Sequence, residues 1–305
     1  MPYRFKRKES VPKSVHRIVA EQAERAAAEL GGGNPDIHDA VHNARKHFKK
    51  IRSVLRLLRR ELGDRTYRRE NDWFRDAAHR LGGARDAEAM IETFDQLAER
   101  YESLRADGPL AQFRVDLLSR RERIIGEQQA LPELARELSV QLHEVPKRLQ
   151  DWSLKRKGFN AIASDLERSY RHGRKALHKA AGKPTDHRFH QWRKRVKDYW
   201  YHNRLLRRCW PALMEARVGE LRRLSDLLGD DHDLAILRST LKQEQDDFGE
   251  ASPLVACLAA RRQDELRAEA CALGMRLYAS APACELDHLE ALWRSWKGGW
   301  LTTRR

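Results

Sequence analysis

His42-Asn43-Ala44-Arg45-Lys46-His47-Phe48-Lys49 has a counterpart in the second half of the chain, His190-Gln191-Trp192-Arg193-Lys194-Arg195-Val196-Lys197. Both read H-x-x-R-K-x-x-K. The offset that carries His42 onto His190 also carries Leu57-Leu58-Arg59-Arg60 onto Leu205-Leu206-Arg207-Arg208, letter for letter. At slightly shorter offsets Leu81-Gly82 and Asp86 meet Leu228-Gly229 and Asp233, and Pro109-Leu110 meets Pro253-Leu254. Ordered matches with a slowly drifting offset mark a duplicated unit with small insertions. The expected repeats are residues 11–147 and 158–300 of a single domain 1–305, divided near 145–158 around Pro146 and Gly158.

A helix advances about 100° per residue. On that wheel Arg45, Lys46, Lys49, Arg52 and Arg56 lie on the side of His42, and Ala44, Phe48, Ile51, Val54, Leu55 and Leu58 form the opposite stripe. In the second stretch Arg193, Lys194, Lys197, Tyr201, Arg204 and Arg208 share the face of His190, with Trp192, Val196, Tyr199 and Leu206 on the apolar side. Similar periodicity runs along the rest of the chain and strand-like alternation is absent, so the expected fold is all-α, two related helical bundles. Breaks are expected at Gly31–Pro35, Gly63-Asp64, Gly82-Gly83, Gly108-Pro109, Gly182–Pro184, Gly229-Asp230, Ser252-Pro253 and Ala281-Pro282. Asp36 and Thr185 stand where N-caps of the two motif helices belong.

The 305 residues carry 60 Lys+Arg against 45 Asp+Glu, a formal charge of +15. No apolar run approaches the ~18–20 residues of a membrane span, and no apolar segment follows the basic N-terminus as in a secretory signal. Cys209, Cys257, Cys271 and Cys284 form no C-x-x-C and no disulfide framework, which suggests a cytoplasmic protein with the cysteines as small core residues. The excess charge, carried mostly by arginine, favours a polyanion as partner. From His42 to Arg60 there is no acid. Like charges at i,i+4 repel by ~0.2–0.5 kcal/mol per pair, so the stripe reads as an anion-binding face. A third basic helix carries Arg171, Lys175 and His178 on one side with Arg174 close by.

These residues resemble the CHAD family, the conserved histidine α-helical domain, from about Val11 to Trp296. The resemblance rests on the paired H-x-x-R-K-x-x-K helices, the L-G-x-x-x-D turns at Leu81–Asp86 and Leu228–Asp233, and the stretch Tyr170-Arg171-His172-Gly173-Arg174. It implies two pseudo-symmetric four-helix bundles with a basic groove or pore between them. It also implies binding of inorganic polyphosphate and association with polyphosphate granules. Carried over, the candidate contacts are His42, Arg45, Lys46, Lys49 and Arg52, with His190, Arg193, Lys194 and Lys197; Arg171 and Arg174 come next. The helical faces add Arg56, Lys175, Tyr201 and Arg204. Asp198 stands opposite Lys50 in the repeat register, so the halves are not expected to contribute equally.

Little points to catalysis. No phosphate-binding glycine loop and no H-E-x-x-H is present, and no enzyme activity, cofactor or metal is expected. Asp230-Asp231-His232-Asp233 is read as a helix N-cap run in a turn. Two alternatives use the same basic groove: RNA or other nucleic-acid binding, and docking as an accessory partner of a phosphate-handling enzyme.

Overall fold

The computed structural model describes residues 3–33, 35–82, 84–101, 109–127, 130–244 and 248–298. Among them every regular element is helical. Helix α1 spans Val11–Ala28, α2 Ile37–Leu57, α3 Arg59–Arg80, α4 Ala84–Arg100, α5 Pro109–Gly126 and α6 Leu131–Leu142. After the short α7, Val145–Arg148, the chain continues as α8 Ala163–Gly182, α9 Asp186–Leu206, α10 Pro211–Gln243, α11 Ser252–Leu277 and α12 Pro282–Lys297.

The motif helices start as their caps dictate. The Asp36 carboxylate accepts from the backbone N–H groups of His38 and Asp39, and the Thr185 hydroxyl accepts from Arg188 N. Each satisfies donors that a first helical turn leaves unpaired. Ala44, Phe48, Ile51, Val54 and Leu55 are all buried on α2, with Leu58 buried at its C-cap, and Trp192, Val196, Tyr199 and Leu206 on α9, as the wheel requires.

One expected break is absent, and the one expected at Gly63-Asp64 is present as a kink, with a further turn at Leu58. Helix α10 runs through Gly229-Asp230 without interruption, so the acidic stretch Asp230–Asp233 lies in mid-helix and caps nothing. A glycine weakens a helix by only ~1 kcal/mol, which the packing of Leu224, Leu228 and Leu234 along α10 readily exceeds. Between α2 and α3 the chain turns at Leu58 and bends again at Gly63, whose φ of 71° suits a residue without Cβ. Gly83 and Gly108 lie outside the described residues, as does the side chain of Asp86. Two of the four cysteines also depart from expectation: Cys257 and Cys284 are exposed, Cys209 and Cys271 half-buried.

Two apolar cores result, and each draws on both halves of the sequence. The larger gathers α1, α2, α3, α6, α8, α9, α12, the C-terminal end of α11 and the first half of α10, including Met214, Leu221, Leu224 and Leu228. The smaller joins α4 and α5 to α11 and the second half of α10, through Leu234, Leu237 and Leu241. The basic N-terminus is built into the fold. Phe5 N donates to Leu205 O at 3.0 Å, and Lys297 Nζ donates to the carbonyls of Lys6, Arg7 and Glu9. No helix among the described residues is long and apolar enough to cross a membrane.

Candidate functional site

Helices α2 and α9 cross where the two basic stripes face each other. His202 Nε2 meets Ser53 O at 3.0 Å, and Arg56 Nη1 donates to Asp198 Oδ1 at 2.7 Å. This crossing brings Lys197 of α9 into the field of Lys49 of α2 and of Arg193 one turn away. Burial is the main effect on Lys197, with Arg193 and Lys49 adding to it; Asp233 and Asp226 of α10 oppose. The ammonium is pushed down to about 7, so dehydration and neighbouring cations outweigh the nearby acids.

The N-terminal part of the α9 stripe lies against α10. His190 Nδ1 is 3.1 Å from His232 Nδ1, their ring centroids 4.2 Å apart. One imidazole donates and the other accepts. Burial, Lys194 and Arg193 push His190 down to about 4; burial, Arg193 and His190 push His232 down to about 3. Both are therefore neutral at pH 7. Arg193 is held down by burial and drawn back by Asp233, Asp230, Asp231 and Asp226. Its Nε is buried with no hydrogen-bond partner among the described residues. Asp230 is pushed up to about 6 by burial and by Asp233 and Asp226. These acids recur at helical spacing, a signal that the sequence contains but that a break at Gly229 conceals.

The α2 stripe spreads over three neighbourhoods. His42 and Lys46 line a hollow of about 660 Å³ with Asp39, Glu88, Glu92 and Arg121, and Lys46 Nζ donates to Asn43. Arg45 is half-buried and Lys49 exposed. Arg52 Nε donates to Asn71 Oδ1 at 3.2 Å, and burial together with Arg56 pushes its guanidinium down to about 10. Arg56, in its pair with Asp198, tethers α2 to α9. Lys50, absent from the expected site, is pushed down to about 8 by burial, Arg204, Arg25 and Lys46.

Tyr201 does not join the basic face. It is 8% exposed and packs edge-on against Tyr3, centroids 5.9 Å apart, because the N-terminal segment covers that end of α9. Arg204 stacks over the rings of Tyr3, Trp200 and Tyr201 at 5.5, 4.9 and 5.4 Å. Lys194 is exposed, near His190 and His232. On α8, Arg174 Nε donates to Tyr278 O and Arg171 lies 3.9 Å from Glu167. With Lys175 they flank a shallow hollow near Pro282.

Among the described residues no group of three or more His, Cys, Asp or Glu side chains could hold a metal ion. No curated relative matches the chain at a significant level. A family model described as CHAD domain matches residues 17–242, most of the chain and both basic motif helices. With the paired H-x-x-R-K-x-x-K helices now placed across one crossing, the chain belongs to the CHAD domain family.

Proposed function

We propose that this protein binds inorganic polyphosphate, without catalysing a reaction, through the facing stripes of α2 and α9, and that this binding places it on polyphosphate granules. One observation carries the reading. At the crossing, Lys49, Arg193 and Lys197 converge, Lys197 is held against its own charge, and Arg193 Nε has no acceptor among the described residues. A phosphate oxygen supplies both the missing acceptor and the missing counter-charge. Polyphosphate is favoured over nucleic acid because Phe189, Trp192, Tyr199 and Tyr201 of α9 are buried, and the half-buried Trp200 is already stacked against Arg204. Single-stranded nucleic acids need exposed rings to stack on.

The duplication belongs to this proposal. Contacts between α1 and α2, α2 and α3, α4 and α5, and α1 and α6 have counterparts in α8 and α9, α9 and α10, α10 and α11, and α8 and α12. In the repeat register the ion pair Arg56–Asp198 corresponds to Arg204 and Lys50, two cations. The two ends of the crossing are thus unequal, one neutralised internally and the other not.

Competition tests the reading. Labelled long-chain polyphosphate is expected to resist displacement by single-stranded RNA, duplex DNA and ATP at matched phosphate concentration and near-physiological salt. Ready displacement by RNA would instead favour a nucleic-acid groove.

Binding is also expected to depend on pH. An anion beside Lys197 raises its pKa from about 7, so complex formation takes up a proton above that pH. Affinity should then fall as pH rises from 7 to 9, approaching tenfold per unit for one coupled proton. Lys197→Arg, which cannot deprotonate, should flatten the profile; an unchanged slope in that variant would remove Lys197 from the site. Linkage has the opposite sign for stability. The folded state disfavours the proton on Lys197, so between about 7 and its unfolded value of 10.5 stability rises with pH.

A further inference from the structure

Beyond the crossing, the seam between α8 and α9 holds a hollow of about 450 Å³. His172, Lys175 and Lys179 line it from α8; His187, Arg188 and Arg195 line it from α9. Among the described residues no carboxylate lines it. This sets it apart from the His42 hollow, with its Asp39, Glu88 and Glu92, and from the α9–α10 contact, with Asp226, Asp230 and Asp233.

Its cations are either anchored or uncommitted. Arg188 Nη1 donates to Lys179 O at 2.9 Å, which neutralises the carbonyl end of α8 where it borders the hollow. Arg195 makes only a loose contact with Asp198, at 3.9 Å. Lys175, Lys179 and His187 have no ion-pair partner among the described residues, and all three are exposed. His172 is half-buried and held below its ordinary pKa by burial and by Arg195, Arg168, Arg171 and Lys175. A second hollow, sharing His172 and Arg195, adjoins it; there Arg168, Arg59 and Arg56 are accompanied by Asp165 and Asp198.

We infer that the α8–α9 seam is a second anion site, separate from the α2–α9 crossing, that takes a short run of condensed phosphate. Small-ligand sites span roughly 300–1,000 Å³, so the hollow suits an oligophosphate of a few units. Among the described residues no Trp, Tyr or Phe lines it, so a base would find only the imidazoles of His172 and His187 to stack on. The phosphate run has two sources of the same chemistry, a free oligophosphate or a second stretch of a long chain already seated in the crossing. The inference concerns a site that the crossing reading does not use.

The test measures tripolyphosphate and long-chain polyphosphate binding by calorimetry on three proteins: the parent chain, Lys179→Glu/His187→Glu at the seam, and Lys49→Glu/Lys197→Met at the crossing. Circular dichroism melts check that each is folded, and Lys175→Gln/Lys179→Gln serves as a milder seam variant. The seam variants are expected to lose tripolyphosphate affinity by at least tenfold, while the crossing variant keeps it within about threefold. If long-chain affinity also falls in the seam variants, the second stretch of a bound chain is a source; if it holds, the site takes free oligophosphate, and either result supports the seam. Tripolyphosphate binding that is unchanged in both folded seam variants overturns the inference and leaves the crossing reading standing. Loss in the seam variants, with long-chain binding intact in the crossing variant, would overturn the crossing reading and leave the seam.

Discussion

Replacing Lys49 by glutamate and Lys197 by methionine is expected to reduce long-chain polyphosphate affinity by a hundredfold or more while leaving the fold intact. Charge-assisted hydrogen bonds contribute about 1.5–3 kcal/mol each. Two lost together amount to about 3–6 kcal/mol, two to four orders of magnitude in Kd. Lys49→Glu also places a like charge against the polymer. Stability should move the other way. Lys197 is dehydrated and repelled by Arg193 in the folded state, and methionine fills a similar volume without a charge. The melting temperature of the variant should therefore equal or exceed that of the parent. A variant that unfolds would make Lys197 a structural residue, and one that binds polyphosphate normally would remove the crossing from the site.

Gly274→Ala and Gly173→Ala are expected to be among the most destabilising single-methyl changes in the molecule. A Cβ at Gly274 would stand 2.6 Å from Trp192 Cζ2 and 3.2 Å from Leu177 Cδ1. At Gly173 it would stand 2.7 Å from the Tyr278 ring carbons. Alanine gains ~1 kcal/mol of helix propensity over glycine. Overpacking costs about 1–3 kcal/mol and at times more. The overlap should win here because Trp192 is wholly buried and Tyr278 is 2% exposed, so neither ring has room to retreat. Thermal melts should show each variant several degrees below the parent. The Gly274 variant should also weaken polyphosphate binding, since Trp192 sits on α9 between His190 and Arg193. An alanine variant as stable as the parent would mean that α8, α9 and α11 can separate at little expense.

Much of this was legible because helices display their burial in sequence. The alternation of apolar and basic faces on α2 and α9 needed only a period of 3.6, and Asp36 and Thr185 announced where those helices begin. Tyr201 is misplaced by a wheel that knows only its own helix: the ring that packs on it, Tyr3, comes from the far end of the chain. Gly229 misled in the opposite way. A glycine before an acidic run resembles a helix stop, yet the leucines on either side of it keep α10 whole. That error hid the row Asp226, Asp230 and Asp233, and with it the fact that the α9 stripe faces acids as well as solvent. The pairing of Arg56 with Asp198 was equally invisible, since it depends on the angle at which two distant helices cross.

The division of the interior has a consequence for how the chain is made. Phe94 on α4 and Phe113 on α5 pack against each other, but the ring that closes over them, Phe248 against Phe113, and most of their other described apolar partners, on α10 and α11, belong to the second half of the chain. As the polypeptide emerges from the ribosome, α1 and α2 can bury their faces early. The faces of α4 and α5 must wait, exposed, for most of the second half to be synthesised. Contacts so distant in sequence close late and slowly, and nascent chains with uncovered apolar surface are prone to associate. This helical pair is therefore the part of the newborn protein most in need of a chaperone.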